Sequence, residues 1–259
     1  MKNNEESLRQ NPLISIVTVC YNAGATIKNT LESVLQQTFN DYEYIIVDGA
    51  SKDNTIEIVK NYETKFREKN IEMKIISEKD HGIYDAMNKG TRLCKGEWIL
   101  ILNADDSMAD ADVLSDVFND NTFNEYDIVY GNCYRIKNNK KKLDSVDRNI
   151  DELKIWKFFC HQSCFTRRCV FNEIEFDDKF KICADYDFFL RAYIEGYRFK
   201  YFNRVICNYS LDGKSNERYY DTILENYKVR IKNGIDKKSI TVYIKAFIWN
   251  IKHIISREW

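Results

Sequence analysis

This 259-residue chain holds a single proline, Pro12, which excludes a proline-rich linker between separate domains. No run of about 18 apolar residues occurs, so no membrane-spanning helix is expected. The first twelve residues, MKNNEESLRQNP, lack an apolar signal core, and secretion is not indicated. Charge of one sign is also missing. With 39 basic and 40 acidic residues and a formal net charge of -1, no overall basic field argues for wrapping nucleic acid. The eight cysteines include no CxxC pair and read as reduced, mostly buried small hydrophobes, which suits a cytoplasmic setting. In particular, Cys160, Cys164 and Cys169 around His161 have spacing poor for tetrahedral zinc. Neither the GxxxxGK phosphate loop nor GxGxxG occurs, and no internal repeat of roughly 20 to 50 residues is present.

What is present is 44% hydrophobic content in a chain long enough for one large α/β domain. Short apolar runs alternate with helical patterns through the first half, the mark of parallel βαβ units. Strands are expected at Leu13 to Val19, Tyr44 to Val47, Met73 to Ile76 and from Trp98 to Leu102. Helices are expected over 25–37, 54–69 and 83–94, the first because Ile27, Leu31, Val34 and Leu35 recur at helical spacing. The second half is less regular. It offers a strand at Asp127 to Gly131, an exposed turn in the run Lys137 to Lys142, and a helix with acids in its first turn at Cys183-Ala-Asp-Tyr-Asp. The last forty residues are helical in pattern. From Lys228 they carry eight basic residues and two acids, with Ile240, Tyr243, Ile244, Phe247, Ile251 and Ile254 on one stripe.

Three strand ends converge where open α/β sheets bind ligands: Cys20-Tyr21-Asn22, Asp48-Gly49 and Asn103 to Asp106. Asp105 and Asp106 follow a buried strand that has no need of charge. Adjacent carboxylates there can hold Mg²⁺ or Mn²⁺, which would complete its shell with water and substrate phosphate. They could equally cap the helix after Asp110. Asp48 can accept hydrogen bonds from a base or ribose, or simply form a turn, and Tyr21 can stack on a base or sit at the core edge.

Five ordered blocks together resemble glycosyltransferase family 2 of the GT-A fold: Ile14-Ser-Ile-Val-Thr-Val-Cys-Tyr-Asn-Ala; Leu31-Glu-Ser-Val-Leu-Gln-Gln-Thr; Tyr44-Ile-Ile-Val-Asp-Gly-Ala-Ser-Lys-Asp-Asn-Thr; His81-Gly-Ile-Tyr-Asp-Ala-Met-Asn-Lys-Gly; and Gly96-Glu-Trp-Ile-Leu-Ile-Leu-Asn-Ala-Asp-Asp. A looser match continues through His161-Gln-Ser and Ala184-Asp-Tyr-Asp to about residue 210. The resemblance implies an α/β, Rossmann-like GT-A domain over 13–215, with a mostly parallel central sheet, a donor half at 13–110 and an acceptor half at 111–215. A polar segment, 1–12, precedes it and a helical extension, 216–259, follows. It also implies an inverting enzyme that uses a nucleotide diphosphate sugar, commonly a UDP sugar, with a divalent metal.

Carried over residue by residue, the resemblance puts Tyr21 and Asp48 at the donor base and Asp105, with Asp106 beside it, at the metal. Asn103 stands where the family has the first acid of Asp-x-Asp, so that donor contact falls to an amide or is lost. Asp85 and Asn88 lie in a segment that lines the donor pocket in relatives. Asp185 aligns with the catalytic base, which must take the acceptor hydroxyl's proton as the new bond forms. Asp187 is the rival; on a helix the two point to different faces, so one is expected at the site and the other in solvent or at a cap. His161 matches an acceptor-side His-Gln-Ser segment, though a lone histidine can also be structural. The expected partners are a nucleotide-sugar donor and a saccharide or lipid-linked acceptor in surface polysaccharide biosynthesis. The basic tail, with Trp249 and Trp259, suits a peripheral contact at the inner face of a membrane or packing on the domain itself. Two other readings stay open: a catalytically inactive nucleotide-binding relative, and a nucleotidyltransferase or phosphatase using the same acids.

Overall fold

The computed structural model describes residues 11–119, 123–211 and 219–235. Nine strands form one sheet in the order β3-β2-β1-β4-β8-β6-β9-β5, with β7 paired to β6. The first four are β1 (Ile14–Cys20), β2 (Tyr42–Asp48), β3 (Met73–Ser77) and β4 (Trp98–Ile101). All are parallel, β1 lying between β2 and β4. The crossovers are α1 (Ile27–Leu35), α2 (Thr55–Glu68) and α3 (Ile83–Arg92). This half follows the reading of the sequence in element order, with ends that differ by one or two residues; β2 begins at Tyr42 and runs on through Asp48, so that acid ends a strand.

The second half makes the sheet mixed. A two-residue β5 (Ser107–Met108) and α4 (Val113–Phe118) lead to the hairpin of β6 (Ile128–Lys137) and β7 (Lys140–Asp144). Its turn is Asn138-Asn139, both with positive φ, inside the exposed lysine run. Next come β8 (Cys164–Arg167), α5 (Arg168–Glu173), α6 (Ala184–Ile194), β9 (Phe199–Ser210) and α7 (Tyr219–Lys232). Strand β8 is antiparallel to both β4 and β6, and so joins the parallel half to the rest.

One core layer packs Ile27, Leu31, Val34, Val59 and Phe66 of α1 and α2 on one sheet face. The other packs Met87, Phe171, Phe188 and Phe189 of α3, α5 and α6 on the opposite face. Both faces of β1, β2 and β4 are therefore buried, which is why those strands read as continuous apolar runs. Six of the eight cysteines are buried among them, Cys160 is half-buried and Cys169 exposed, all as free thiols.

Polar pins hold the strands where the pattern alone would allow slippage. Buried Glu43 accepts from the Ser15 hydroxyl at 2.6 Å, the Lys95 N–H at 2.5 Å and the Gly96 N–H at 3.2 Å. Gly96 is confined by backbone: a Cβ there would lie 2.5 Å from Ser15 N and 2.7 Å from the Ile14 carbonyl carbon. Gly96→Ala is expected to cost about 1–3 kcal/mol, the usual range for overpacking, read as a lower urea midpoint at unchanged slope. No described helix is long and apolar enough to cross a membrane. Most of the predicted tail, residues 236–259, lies outside the described residues.

Candidate active site

The carboxyl ends of β1, β2 and β4 open on one side of the sheet, and the loops that leave them are sewn together. The Asn22 N–H donates to Ser51 Oγ at 2.8 Å, Ala23 N–H to Thr55 Oγ1 at 2.8 Å and Gly24 N–H to Asp53 Oδ2 at 3.0 Å, while Asn22 Oδ1 accepts from Lys52 N–H at 2.8 Å. Tyr21 projects from this rigid rim, 59% exposed. A Cβ on Gly49 would lie 3.3 Å from the Tyr21 ring and 2.3 Å from Asp80 Oδ2, so the glycine lets the ring and that carboxylate close on the backbone. An exposed aromatic over bare backbone is a surface on which a flat base can stack. Asp80 was missed from the sequence; its signal was an acid in the loop that leaves β3, three residues past the strand's end.

Asp48 is fully buried beneath this rim. Its Oδ1 accepts from the Ser51 hydroxyl and the Cys20 thiol, its Oδ2 from the Ser51 N–H at 3.0 Å and the Ser77 hydroxyl at 2.6 Å. Those bonds fill the carboxylate's four lone-pair positions, so a ligand reaches it only by replacing a hydroxyl. Asp48 also pushes the neighbouring Cys20 thiol, already raised by burial, far above its ordinary value.

After β4 the chain turns through Asn103 to Asp106, and the two acids part. Asp105 lines an open cleft of about 440 Å³ with Ala25, Thr26, Lys28, Asn29 and Glu32. Among the described residues no cation pairs with it, and burial raises its carboxyl above the ordinary range. Asp106 turns inward instead, 1% exposed, accepting from Gln162 Nε2 and from the Ser210 N–H, each at 2.8 Å. Both its oxygens brace β9 and the 3-10 turn His161–Ser163. The expectation that Asp106 helps hold a metal is therefore corrected: its carboxylate is buried and turned onto Gln162 and Ser210, away from the open cleft that Asp105 lines.

Asn103, His161 and Asp185 form a line. Asn103 Nδ2 lies 3.3 Å from His161 Nε2, and His161 Nδ1 lies 3.0 Å from Asp185 Oδ2. The Lys157 ammonium closes on the same Oδ2, while Asp185 Oδ1 accepts the Tyr186 N–H at 2.8 Å. Burial opposes ionisation of Asp185, but Lys157 and then His161 outweigh it and hold the carboxyl well below the usual range. Asn103 Oδ1 is buried with no partner among the described residues. Lys157, also missed, had its signal in the run Trp156-Lys-Phe-Phe: a cation amid aromatics must pair when buried.

Three predicted site residues have other tasks. Asn88 gives both ends of its amide to Phe176, Nδ2 donating to the carbonyl and Oδ1 accepting the N–H, each at 2.9 Å. Asp85 accepts the His81 N–H at 2.9 Å and pairs with Lys89 at 3.3 Å, tying the first turn of α3 to the segment before it. Asp187, expected in solvent or at a cap if it was not the base, is not solvated. Fully buried, it accepts from Arg191 Nε, Lys232 Nζ and Asn233 Nδ2, each at 2.9 Å, and so anchors α7 to α6.

The family described as "Glycosyl transferase family 2" matches residues 15–198, which hold every residue of this site. The chain belongs to glycosyltransferase family 2. It is 32% identical over 228 residues to a PGL/p-HBAD biosynthesis glycosyltransferase of Mycobacterium tuberculosis, covering 86% of this chain and 87% of that one. It is 26% identical to the chondroitin synthase of Escherichia coli, spanning 98% of this chain but 37% of that longer protein. Among solved structures, the mannosyltransferase PcManGT of Pyrobaculum calidifontis, in complex with GDP-Man and Mn²⁺, superposes with a TM-score of 0.70 at 18% identity, over 93% of this chain and 70% of that one. S. aureus TarS 1-349 with UDP-GlcNAc gives 0.67 at 18% identity, over 95% and 73%. In another TarS structure the chain spans only 38% of the TarS chain. These two likenesses establish the fold, an α/β domain of the GT-A kind, and the family establishes a glycosyltransferase.

Proposed function

We propose that this glycosyltransferase is a metal-dependent inverting enzyme. It passes one sugar from a nucleotide diphosphate sugar, with UDP the first candidate, to a saccharide or lipid-linked saccharide in surface polysaccharide assembly. The observation that carries the reading is the line Asn103–His161–Asp185. It joins the turn beside the donor cleft to a buried carboxylate kept ionised, the state a general base needs.

Tyr21 offers a stacking face for the base and Asp48 fixes the floor beneath it. Asn103 Oδ1, a buried acceptor without a partner among the described residues, suits a donor hydroxyl. The same turn fits a divalent cation: Asp105 is a carboxylate unpaired among the described residues in an open cleft, and Mg²⁺ or Mn²⁺ takes one or two such ligands, the rest coming from water and diphosphate. When bound there, the metal neutralises charge developing on the diphosphate. Asp185 removes the acceptor hydroxyl's proton as that oxygen attacks the anomeric carbon. The bond from that carbon to the diphosphate oxygen breaks, its electron pair leaving with the nucleotide. A single displacement inverts the anomeric centre, and separate groups serve proton and leaving group.

The mycobacterial relative is named for glycolipid biosynthesis and the chondroitin synthase for a polysaccharide, which supports a glycan acceptor. The two structural neighbours hold UDP-GlcNAc and GDP-Man, so donor identity is a matter for measurement. A cytoplasmic enzyme touching the inner membrane face through its basic tail fits this reading, though that contact rests on residues outside those described.

Calorimetry with a panel of nucleoside diphosphates, with and without Mn²⁺, tests the donor site. One nucleotide is expected to bind at micromolar Kd only with the metal, and Asp105→Ala to weaken it at least about tenfold, or 1.4 kcal/mol. Absence of binding to every nucleotide in either condition would reduce the chain to an inactive relative of the fold.

A further inference from the structure

We propose that α7, which lies beyond the family-matched residues 15–198, is a positioning element for the catalytic base, with Glu225 as its principal contact. The inference rests on the base role given to Asp185 above.

Helix α6 begins at Ala184, which makes Asp185 its second residue. The carboxylate's direction depends on that first turn, because Oδ1 is held by the Tyr186 N–H. The turn in turn depends on α7. Glu225 accepts the N–H groups of Lys181 at 3.0 Å, Ile182 at 2.8 Å and Cys183 at 2.9 Å, one carboxylate gathering three consecutive donors immediately before α6. On the other side of Ile182, its carbonyl accepts the Tyr84 hydroxyl at 2.5 Å, so the segment is pinned from both α7 and α3. Two residues beyond Asp185, the ammonium of Lys232 and the amide of Asn233 hold Asp187. The partner of the base is anchored by the same helix: Arg230 Nη1 donates to the Ile155 carbonyl at 2.7 Å, two residues before Lys157. Buried Val229 packs with Cys183, Tyr186 and Leu190 between these polar points.

Thus α7 fixes the chain before Asp185, after it, and beside its lysine partner. Its residues act through the placement of that carboxylate. A displacement of about 1 Å at a reacting group can cost about 10²-fold in rate, which sets the scale for losing Glu225.

The test uses the full chain with Glu225→Ala and Glu225→Gln. It measures UDP and GDP binding with Mn²⁺, nucleotide release from UDP-GlcNAc or GDP-Man, and the ¹⁵N-histidine spectrum, in which His161 is one of three histidines. Glu225→Ala is expected to keep nucleotide Kd and donor KM within about twofold while kcat falls about 10²-fold, and to lose the His161 Nδ1 proton signal shared with Asp185. Glu225→Gln, with one acceptor oxygen left, is expected to recover about tenfold of that loss, and it carries the comparison should the alanine variant not fold. Unchanged kcat, or nucleotide binding lost in step with kcat, would overturn the proposal, since the second is the behaviour of a merely destabilised fold. If the wild type turned over neither donor, the functional reading would fall separately. The His161 signal would still decide the positioning: lost in Glu225→Ala it supports the proposal, retained it sinks it.

Discussion

Asp185→Asn is expected to lower kcat by roughly 10²- to 10⁴-fold, the span that a positioned general base contributes. The substitution conserves shape and removes the lone pair that accepts the acceptor's proton. Nucleotide affinity is expected to stay within about twofold of wild type, because Asp185 meets the donor side only through His161 and Asn103. Groups that act as one unit lose their effect together, so His161→Ala on top of Asp185→Asn adds little, whereas alone it costs a substantial part of the rate. Steady-state kcat and calorimetric Kd on the same three variants separate the outcomes; full turnover by Asp185→Asn would remove Asp185 from the mechanism. The pH profile follows from the charge around the site. With its folded pKa depressed, the Asp185 carboxylate stays ionised through neutral and mildly acidic solution, so it sets no acid limb on kcat above about pH 4. Stability has the same sign: the contribution of this ionisation is present above the unfolded value of about 3.9 and is lost as pH falls toward the folded one.

The donor half was legible because its physics is local. Strands β1, β2 and β4 are buried on both faces and therefore apolar throughout, and the helices between them carry their contacts at a fixed spacing, so the strand ends with Tyr21, Asp48 and Asp105 fall where periodicity puts them. The second half resisted for the complementary reason. Strand β9 pairs with β6 on one side and β5 on the other with interrupted register, and its residues are mostly half-buried, so no clean alternation marks it. Periodicity also says nothing about where a charged group finds its partner. Asp106 is neutralised as a metal ligand by Gln162, 56 residues away, and Asp85 and Asn88 look like pocket residues until Lys89 and Phe176 are seen to claim them. Glu225 and Arg230 are ordinary helix residues in the sequence; only the packing of α7 gives them work near Asp185.

Asp187→Ala is expected to be the most destabilising single change in the acceptor half, and for a reason opposite to Asp185→Asn. Asp187 is wholly inside the protein, yet none of its bonds points at the donor turn: Arg191 and Lys232 share Oδ2 and Asn233 takes Oδ1. Removing it leaves Lys232 to Asp177 and Arg191 to the Glu175 carbonyl, and opens a hole between the helices. Breaking a buried pair from one side costs about 3–5 kcal/mol. Arg191 and Lys232 are 23% and 37% exposed and regain some hydration, which places the loss near the lower end, about 3 kcal/mol. At roughly 2–4 °C per kcal/mol for a chain of this size, the Tm falls by about 6–12 °C. The two aspartates thus separate by what they do: Asp185→Asn loses turnover, and with it the stability that its paired carboxylate contributes, while Asp187→Ala loses Tm and, at a temperature where it is folded, keeps nucleotide binding. A variant of Asp187 with wild-type Tm but no turnover would return that residue to the role of base and unseat Asp185.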